Sequence, residues 1–326
     1  MQRRASIGIV TPALADANNG NWQTARRWAR FLAPAYRVGL TARWAGGDEA
    51  LMIALHARRS AASVEAWHAA HPQRPLLLAL TGTDLYRDID VDADARRSLE
   101  LADRLIVLNE LGPERLAPAL RAKCRVVLQS CSLRRTLDKP RRHLRALMVG
   151  HLRAEKDPLT YLRAAQRLAG RSDILFDHVG AALDPALGAQ AAALAARQGG
   201  YRWLGALPHE AVRRRIQSAH LLVNTSLMEG GANVVVEALR SGTPVIASRI
   251  DGNLGLLGAD PLASFEPGDD AALAALILRG RDDPDMLPAL QRQAASRAPL
   301  FAPEAEAARL RRLVAEGLER FPGTPP

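Results

Sequence analysis

The chain has 326 residues, with 44 Lys and Arg against 34 Asp and Glu, a net charge of +10 and a pI near 10.6. That length exceeds a single hydrophobic core, so two domains of about 150 residues are expected. The 48% hydrophobic and 24% charged fractions describe a soluble globular protein and exclude disorder, collagen or coiled coil as whole-chain descriptions. Two cysteines, Cys124 and Cys131, exclude a disulfide scaffold and a multi-thiolate metal site, and a cytoplasmic setting is expected. The longest apolar runs, such as Leu76 to Leu80 and Val245 to Ala247, fall far short of the roughly 20 residues a membrane span needs. Arg3 and Arg4 precede a strand-length run, Ile7 to Val10, broken by Thr11-Pro12, so no export signal is expected. Aromatic residues are only 4% and the arginines lie in short scattered groups, which disfavours a nucleic-acid partner and favours a small polyanionic ligand.

In chain order, short apolar runs alternate with helical patterns, the signature of parallel sheets with crossover helices. The first series predicts strands at Ser6 to Thr11, Arg37 to Leu40, Ala50 to Leu55, Leu76 to Leu80, Arg104 to Leu108 and Arg125 to Leu128. Trp22, Ala25, Trp28, Ala29 and Leu32 recur at helical spacing and predict an amphipathic helix after Gly20. The polar segment Ser132 to His143, interrupted by Pro140, reads as a linker. The pattern then restarts at Leu144 to Val149, Ile174 to Val179, Arg202 to Leu204, Leu221 to Asn224, Val245 to Ser248 and Ala263 to Phe265. Ala305, Leu310, Leu313, Val314 and Leu318 form one apolar stripe of a last helix. Two doubly wound α/β domains follow: 1–138, 139–300, and a terminal helix within 301–326 that could return to the first. Ligands of such sheets bind at the carboxyl ends of the strands near the switch point, so chemistry is expected in an inter-domain cleft.

The most informative segment runs from Ser226 through Glu229, Gly230, Gly231, Asn233, Val234 and Glu237 to Gly242, Pro244 and Ser248. A strand ends near Asn224, a glycine loop carries Glu229, and a helix from about Ala232 to Arg240 carries Glu237 in its second turn. Backbone N–H groups around Asn233 and Val234 make that helix start suited to an anion. Glu237 has the two acceptor oxygens to chelate a ribose diol, and Glu229 reaches a polyhydroxylated part on the other side of the phosphates.

Two glutamates in E-G-x-x-N-V-V-x-E-A-x-x-x-G-T-P-V-I-A-S closely resemble the donor motif of the retaining GT-B glycosyltransferases of family 4. The resemblance implies a GT-B fold of two Rossmann-like domains and transfer from a nucleotide sugar. Val149-Gly150-His151-Leu152-Arg153-Ala-Glu-Lys156 is similar to the family's V-G-R-L-x-x-x-K, whose Arg and Lys hold the diphosphate. Lys156 matches, and the Arg position is His151. Either His151 donates while neutral, or it becomes charged beside phosphate, or Arg153 reaches in instead. Cations here stabilise the charge on a departing diphosphate, so no metal or cofactor is expected. Asp92-Ala-Asp94 sits in a charged stretch and is not read as a metal pair. Gly180 and Leu204 to Pro208 fit the places where the family brings backbone near the nucleobase, and Asp251 to Gly255 either resembles the family's glycine-rich loop after the following strand or is a plain turn.

Three strand ends of the first half carry polar groups: Asn18-Asn19-Gly20-Asn21, then His56-Ala-Arg58-Arg59, then Thr81-Gly82-Thr83-Asp84-Leu-Tyr86-Arg87. Such a wall suits a small, strongly anionic acceptor, with Gly20, Asn21, Arg58, Arg59, Thr81, Thr83 and Arg87 as contacts. His56 and Asp84 are candidates for acid/base work or sugar positioning, beside Glu229 and Lys156. Together with T-P-A and G-N-W-Q-T-A-R-R-W-A, these segments resemble the selenosugar synthases of selenoneine biosynthesis. That resemblance implies UDP-N-acetylglucosamine as donor and selenophosphate as acceptor. Two other readings stay open: an ordinary retaining family 4 enzyme acting on a lipid-linked or polysaccharide acceptor, for which Trp22 to Leu32 would be a poor membrane patch, and a non-catalytic nucleotide-sugar binding protein. Stable membrane association is not expected.

Overall fold

The computed structural model describes residues 4–12, 20–258 and 261–320, so Asn18 and Asn19 lie outside the described residues. The chain forms two compact units. The first comprises the chain up to Gln129, the loop Glu229–Gly231 and the chain from Pro303 onward; the second comprises Ser130–Met228 and Ala232–Ala302. The division therefore falls ahead of the expected 138/139 boundary. The physical reason is that the polar stretch read as a linker is bound by the second unit. Arg134 N–H donates to the Arg240 carbonyl at 3.0 Å and Leu137 N–H to that of Gln217 at 3.2 Å, while Arg213 donates to the Ser132 carbonyl at 3.0 Å.

The first unit is built on one parallel sheet of β1 (Ser6–Val10), β2 (Arg37–Thr41), β3 (Leu51–Leu55), β4 (Leu76–Leu80), β5 (Arg104–Val107) and β6 (Cys124–Val126), in the order β2-β1-β3-β4-β5-β6. Every residue of β3 and β4 is buried, as expected of parallel strands covered on both faces, whose sequences read as unbroken apolar runs. Edge strand β2 instead alternates between exposed and half-buried residues. Helices Gly20–Leu32 and Pro303–Arg320 cover one face through Trp28, Leu32, Leu310, Leu313 and Val314. Helices Ala61–Ala70 and Ala93–Leu101 cover the other through Val64, Trp67, Ala95 and Leu99.

The second unit has a parallel sheet of β7 (Leu144–Val149), β8 (Ile174–Val179), β9 (Tyr201–Trp203), β10 (Leu221–Asn224), β11 (Val245–Ser248) and β12 (Ser264–Phe265), ordered β12-β11-β10-β7-β8-β9. Its core joins Tyr161, Phe176, Leu194, Leu273 and Ile277. In each sheet the strand order reverses once, between β1 and β3 in the first and between β7 and β10 in the second. Loops leaving those strands diverge to opposite faces and open a crevice at each switch point.

One expectation changes here. The segment Asp251 to Gly255 is not a loop but part of a helix, Asp251–Leu257, in which Gly252 and Gly255 are buried. As expected of a poor membrane patch, the stretch Trp22 to Leu32 turns its apolar side inward, where Ala25, Trp28 and Leu32 are fully buried. Among the described residues, no helix is long and apolar enough to cross a membrane.

The last helix is joined to the first one by Glu306, which is fully buried and accepts from Arg27 Nε at 2.8 Å and from Trp28 Nε1 at 2.7 Å. Removing one partner of a buried ion pair strands the other charge, at a cost of roughly 3–5 kcal/mol. Glu306→Ala is therefore expected to lose about 3 kcal/mol of stability in urea unfolding; a loss under ~0.5 kcal/mol, the size of an ordinary surface change, would show that the pair is not structural.

Candidate functional site

In the second unit, the loops after β7 and β10 flank the switch point. Gly150 and Gly180 meet there: a Cβ on Gly180 would lie 1.9 Å from the Gly150 carbonyl oxygen, so only glycine is accommodated. Buried His178, with its pKa lowered by burial to about 4, is neutral; Nε2 donates to the Gly150 carbonyl at 3.1 Å and Nδ1 accepts from Tyr201 Oη at 3.2 Å. The stem of Lys156 runs beside Gly150, 3.6 Å from where a Cβ would stand. The turn Ala154–Lys156 is fixed from the other loop: Thr225 Oγ1 donates to the Lys156 carbonyl at 2.7 Å, and Leu227 N–H donates to that of Glu155 at 2.9 Å. Asp157, in a left-handed conformation, then caps helix Pro158–Arg167.

His151 accepts the Ala181 N–H on Nδ1 at 3.1 Å. Burial and the neighbouring Arg153 and Lys156 lower its pKa. The ring is thus neutral with its proton on Nε2, an N–H donor rather than a second cation. Arg153 is exposed, 3.9 Å from Glu155.

Helix Asn233–Leu239 begins without a side-chain cap, with Asn233 and Val234 half-buried in its first turn. Buried Glu237 places Oε1 2.7 Å from His209 Nε2, a partner that sequence reading missed. The loop after β10 is held by buried polar groups: Asn224 Oδ1 accepts from Ser226 N–H at 3.0 Å, and Ser248 Oγ donates to the Ser226 carbonyl at 2.6 Å. Asn253 donates to the Ser248 carbonyl at 3.1 Å, tying the helix after β11 to the same network.

In the first unit, the ends of β3 and β4 are joined by one carboxylate. Asp84 is fully buried; Oδ1 accepts from the N–H groups of Thr81 and Gly82 at 2.9 and 2.8 Å, and Oδ2 from that of Ala57 at 3.0 Å. With three donors on it, Asp84 organises both loops. It opens a π-turn, Asp84–Asp88, whose wider i→i+5 bonding sets Asp84 and Asp88 on the side facing His56. His56 is buried at a left-handed φ of 74° and lies 3.1 Å from Thr83 Oγ1 through Nε2. Asp88 is 3.0 Å from Arg87 Nε and 3.5 Å from Arg58 Nε. His56, Arg58, Thr81, Thr83, Asp84 and Arg87 are therefore one cluster, and Arg59 joins it through its backbone N–H, with its side chain exposed.

Gly20 and Asn21 stand apart from that cluster at the start of the first helix, where the Gly20 carbonyl accepts from Thr24 Oγ1 at 2.8 Å and Gln129 in turn donates to Thr24 Oγ1. The loop Glu229–Gly231 is bound by Asn109, a fully buried residue after β5 that donates to the Gly230 carbonyl at 2.7 Å and to Tyr86 Oη at 2.9 Å. A Cβ at Gly230 would stand 2.3 Å from the Thr81 carbonyl oxygen. Glu229 is buried, 9% exposed, beside these glycines. Asp88, Asn109 and His209 were not singled out in the sequence; the available signal was that Asn109 and Asp88 follow strands whose other loops carried candidates. Asp92, of the Asp-x-Asp pair, caps helix Ala93–Leu101. Among the described residues, no group of three or more His, Cys, Asp or Glu is placed to hold a metal ion.

Residues 143–283, essentially the second sheet and its helices, match the family model described as Glycosyl transferases group 1. The fold as a whole is similar to that of a sucrose-phosphate synthase from Thermosynechococcus elongatus, at 18% identity and a TM-score of 0.75, covering 96% of this chain and 99% of that one. It is also similar to Anabaena HepE in complex with UDP-glucose, at 15% identity and a TM-score of 0.77, covering 95% and 99%. The pneumococcal O-GlcNAc transferase GtfA, in complex with UDP and GlcNAc, shares 18% identity with a TM-score of 0.65 over 82% of this chain and 57% of its own. The fold class is thus GT-B, two parallel-sheet Rossmann-like domains, with a group 1 glycosyltransferase match in the second.

The His209–Glu237 contact has a readable signature. The hydrogen bond to Glu237 raises the His209 pKa above its ordinary value. A raised folded-state pKa gives stability that is fully present below the unfolded value and disappears as pH rises through the folded one. Glu237→Gln should bring the His209 NMR titration back down toward about 6.5; an unmoved titration would mean the contact does not persist in solution.

Proposed function

We propose that the chain is a glycosyltransferase that moves a sugar, N-acetylglucosamine in this reading, from its UDP donor to selenophosphate in selenoneine biosynthesis. The observation that carries the reading is the contrast between two strand-end clusters. One joins Lys156, an outward His151 N–H and the Glu237 carboxylate around the β7/β10 switch point; the other is built from guanidiniums and hydroxyls around a buried histidine. The first suits a nucleoside diphosphate sugar, and the complexes of similar fold with UDP or UDP-glucose support that choice of donor. The second suits a small anion.

Glu237 takes the ribose diol, with His209 moving from or sharing its carboxylate. Lys156, the His151 N–H and the backbone about Asn233 and Val234 stabilise charge on the β-phosphate as the C1–O bond breaks. Gly150 and Gly180 pack backbone to backbone and so bring the His151 loop into place, and Glu229 holds hydroxyls of the transferred sugar. Selenium of selenophosphate, anionic and soft at neutral pH, attacks C1 without prior proton removal. Its electron pair forms the C–Se bond, and the C1–O pair leaves with UDP. Water then takes the phosphoryl group from selenium, giving the free selenosugar and phosphate. With a lysine and a neutral donor meeting the diphosphate, the transfer is proposed to need no divalent metal.

The test is product mass and UDP release from UDP-N-acetylglucosamine with selenophosphate, in the presence and absence of EDTA. UDP formation that depends on selenophosphate and ignores EDTA is expected. Lys156→Ala and Glu229→Gln should each lower kcat/KM about 100-fold or more, the usual scale for a lost transition-state contact. Release of UDP only with a lipid-linked or polysaccharide acceptor would overturn the acceptor, and no turnover with any acceptor would leave a nucleotide-sugar binding protein.

A further inference from the structure

The contact between His209 and Glu237 has two unequal sides. Glu237 Oε1 lies 2.7 Å from His209 Nε2, yet the carboxylate side chain is 10% exposed and the imidazole 61%. Glu237 is set among buried residues of helix Asn233–Leu239, and Ser241 Oγ fixes the turn beyond it by donating to the Glu237 carbonyl at 2.7 Å. The carboxylate is therefore the fixed partner, and the imidazole is the one that can swing into water without uncovering packed atoms. Among the described residues, no other group hydrogen-bonds that carboxylate.

Most of what else surrounds the ring opposes an imidazolium. His209 is the first residue of helix His209–Ser218, which has no side-chain cap and presents the positive end of its dipole there. One turn on, Arg213 is 1% exposed; its Nη2 donates to the Ser132 carbonyl at 3.0 Å, and it forms no ion pair among the described residues. Glu210, the neighbouring carboxylate, is held by Arg134 at 2.7 Å. The Cys131 thiol, its pKa raised by burial, is neutral, and Arg240 at the end of the Glu237 helix gives Nε to the Cys131 carbonyl at 3.2 Å. The hydrogen bond to Glu237 outweighs these surroundings and raises the His209 pKa. Once Glu237 is occupied, burial and Arg213 remain to lower it, against a Glu210 that already has Arg134.

We infer that His209 stands in for the ribose diol on Glu237, so that the nucleotide sugar binds by displacing an imidazolium and the displaced ring gives its proton to solvent. This rests on the donor reading above and adds its regulation by pH. A diol brings two O–H donors to the two carboxylate oxygens, whereas the ring brings one N–H, so the exchange leaves the carboxylate satisfied. Between the His209 pKa with donor bound and the higher one without it, binding releases up to one proton, and affinity rises with pH. Outside that window the ring carries the same charge in both states, and affinity is flat. Each pH unit of the window is worth about tenfold in affinity.

Calorimetry of UDP-N-acetylglucosamine with the full-length chain tests this across the ordinary histidine range, about pH 5.5 to 8.5, in buffers of different ionisation enthalpy. The diphosphate of that donor has no oxygen that titrates there. Affinity should rise about tenfold with pH, with a proton released on binding in the rising part. His209→Gln should still bind the donor but lose both the slope and the release. Glu237→Gln should weaken binding and release no proton, with the melting temperature of each variant as the check on folding. Donor binding without proton release, proton uptake, or a slope that survives in His209→Gln would overturn the inference and leave the proposed function standing. Failure to bind any UDP-sugar at any pH would overturn both. Proton-linked donor binding in a protein that does not use selenophosphate would sustain the inference and remove the acceptor.

Discussion

A parallel sheet sends every strand-to-helix loop out at the same edge, and a loop so placed needs something to hold its backbone N–H and C=O groups once it leaves the ladder. In this chain that need is met by buried polar side chains. Asp84 gathers the N–H groups of two loops in the first unit. In the second unit, Ser248, Asn224 and Asn253 do the same for the loop after β10, and His178 supports the Gly150 carbonyl. The groups offered to a ligand are precise because the atoms behind them have no alternative partners. The two units therefore brace their loops with different chemistry: close glycine and carbonyl contacts at Gly150 and Gly180 in one, and a buried carboxylate that gathers backbone N–H groups in the other.

Many of the arginines behind the positive balance have structural partners. Several arginines are neutralised in structural pairs. Asp177 alone, fully buried, is surrounded by Arg145, Arg202 and Arg215. Asp173 is gripped by Arg171 and Arg281, which hold its carboxyl well below the usual range. Exposed pairs such as Arg171 with Asp282 contribute little to stability.

The architecture was legible because its strands are covered on both faces. LMIAL and LLLAL have no polar residue, and a run of that length between helical patterns has few other interpretations. The strand, loop and helix around Glu229 and Glu237 were legible for a different reason: the glycines, glutamates and helix start lie within a dozen residues. The supports were not. Asn109 and Gly230 are 121 positions apart, and His209 and Glu237 are 28 apart, so neither pair leaves a local pattern. The tautomer of His151 depends on the N–H of Ala181, thirty residues on, which no inspection of the V-G-H segment reveals. Asp251 to Gly255 misled because glycine marks both turns and tight helix packing, and only the neighbours decide. The polar segment before Leu144 is largely exposed, as its composition signals, but that its backbone is fastened to Arg240 and Gln217 leaves no local pattern.

The buried Glu306 contact implies an order of events during synthesis. The first unit lacks one layer of its core until Pro303–Arg320 has been made, since that helix carries Leu310, Leu313 and Val314 onto the face that Trp28 and Leu32 share. The second unit draws almost entirely on the intervening stretch, Ser130–Met228 and Ala232–Ala302. On a ribosome adding residues one at a time, the part translated second can finish first, and the N-terminal half waits with an apolar helix face uncovered until that last helix has been made. A nascent chain stalled just before Pro303 would thus be the form most exposed to chaperones.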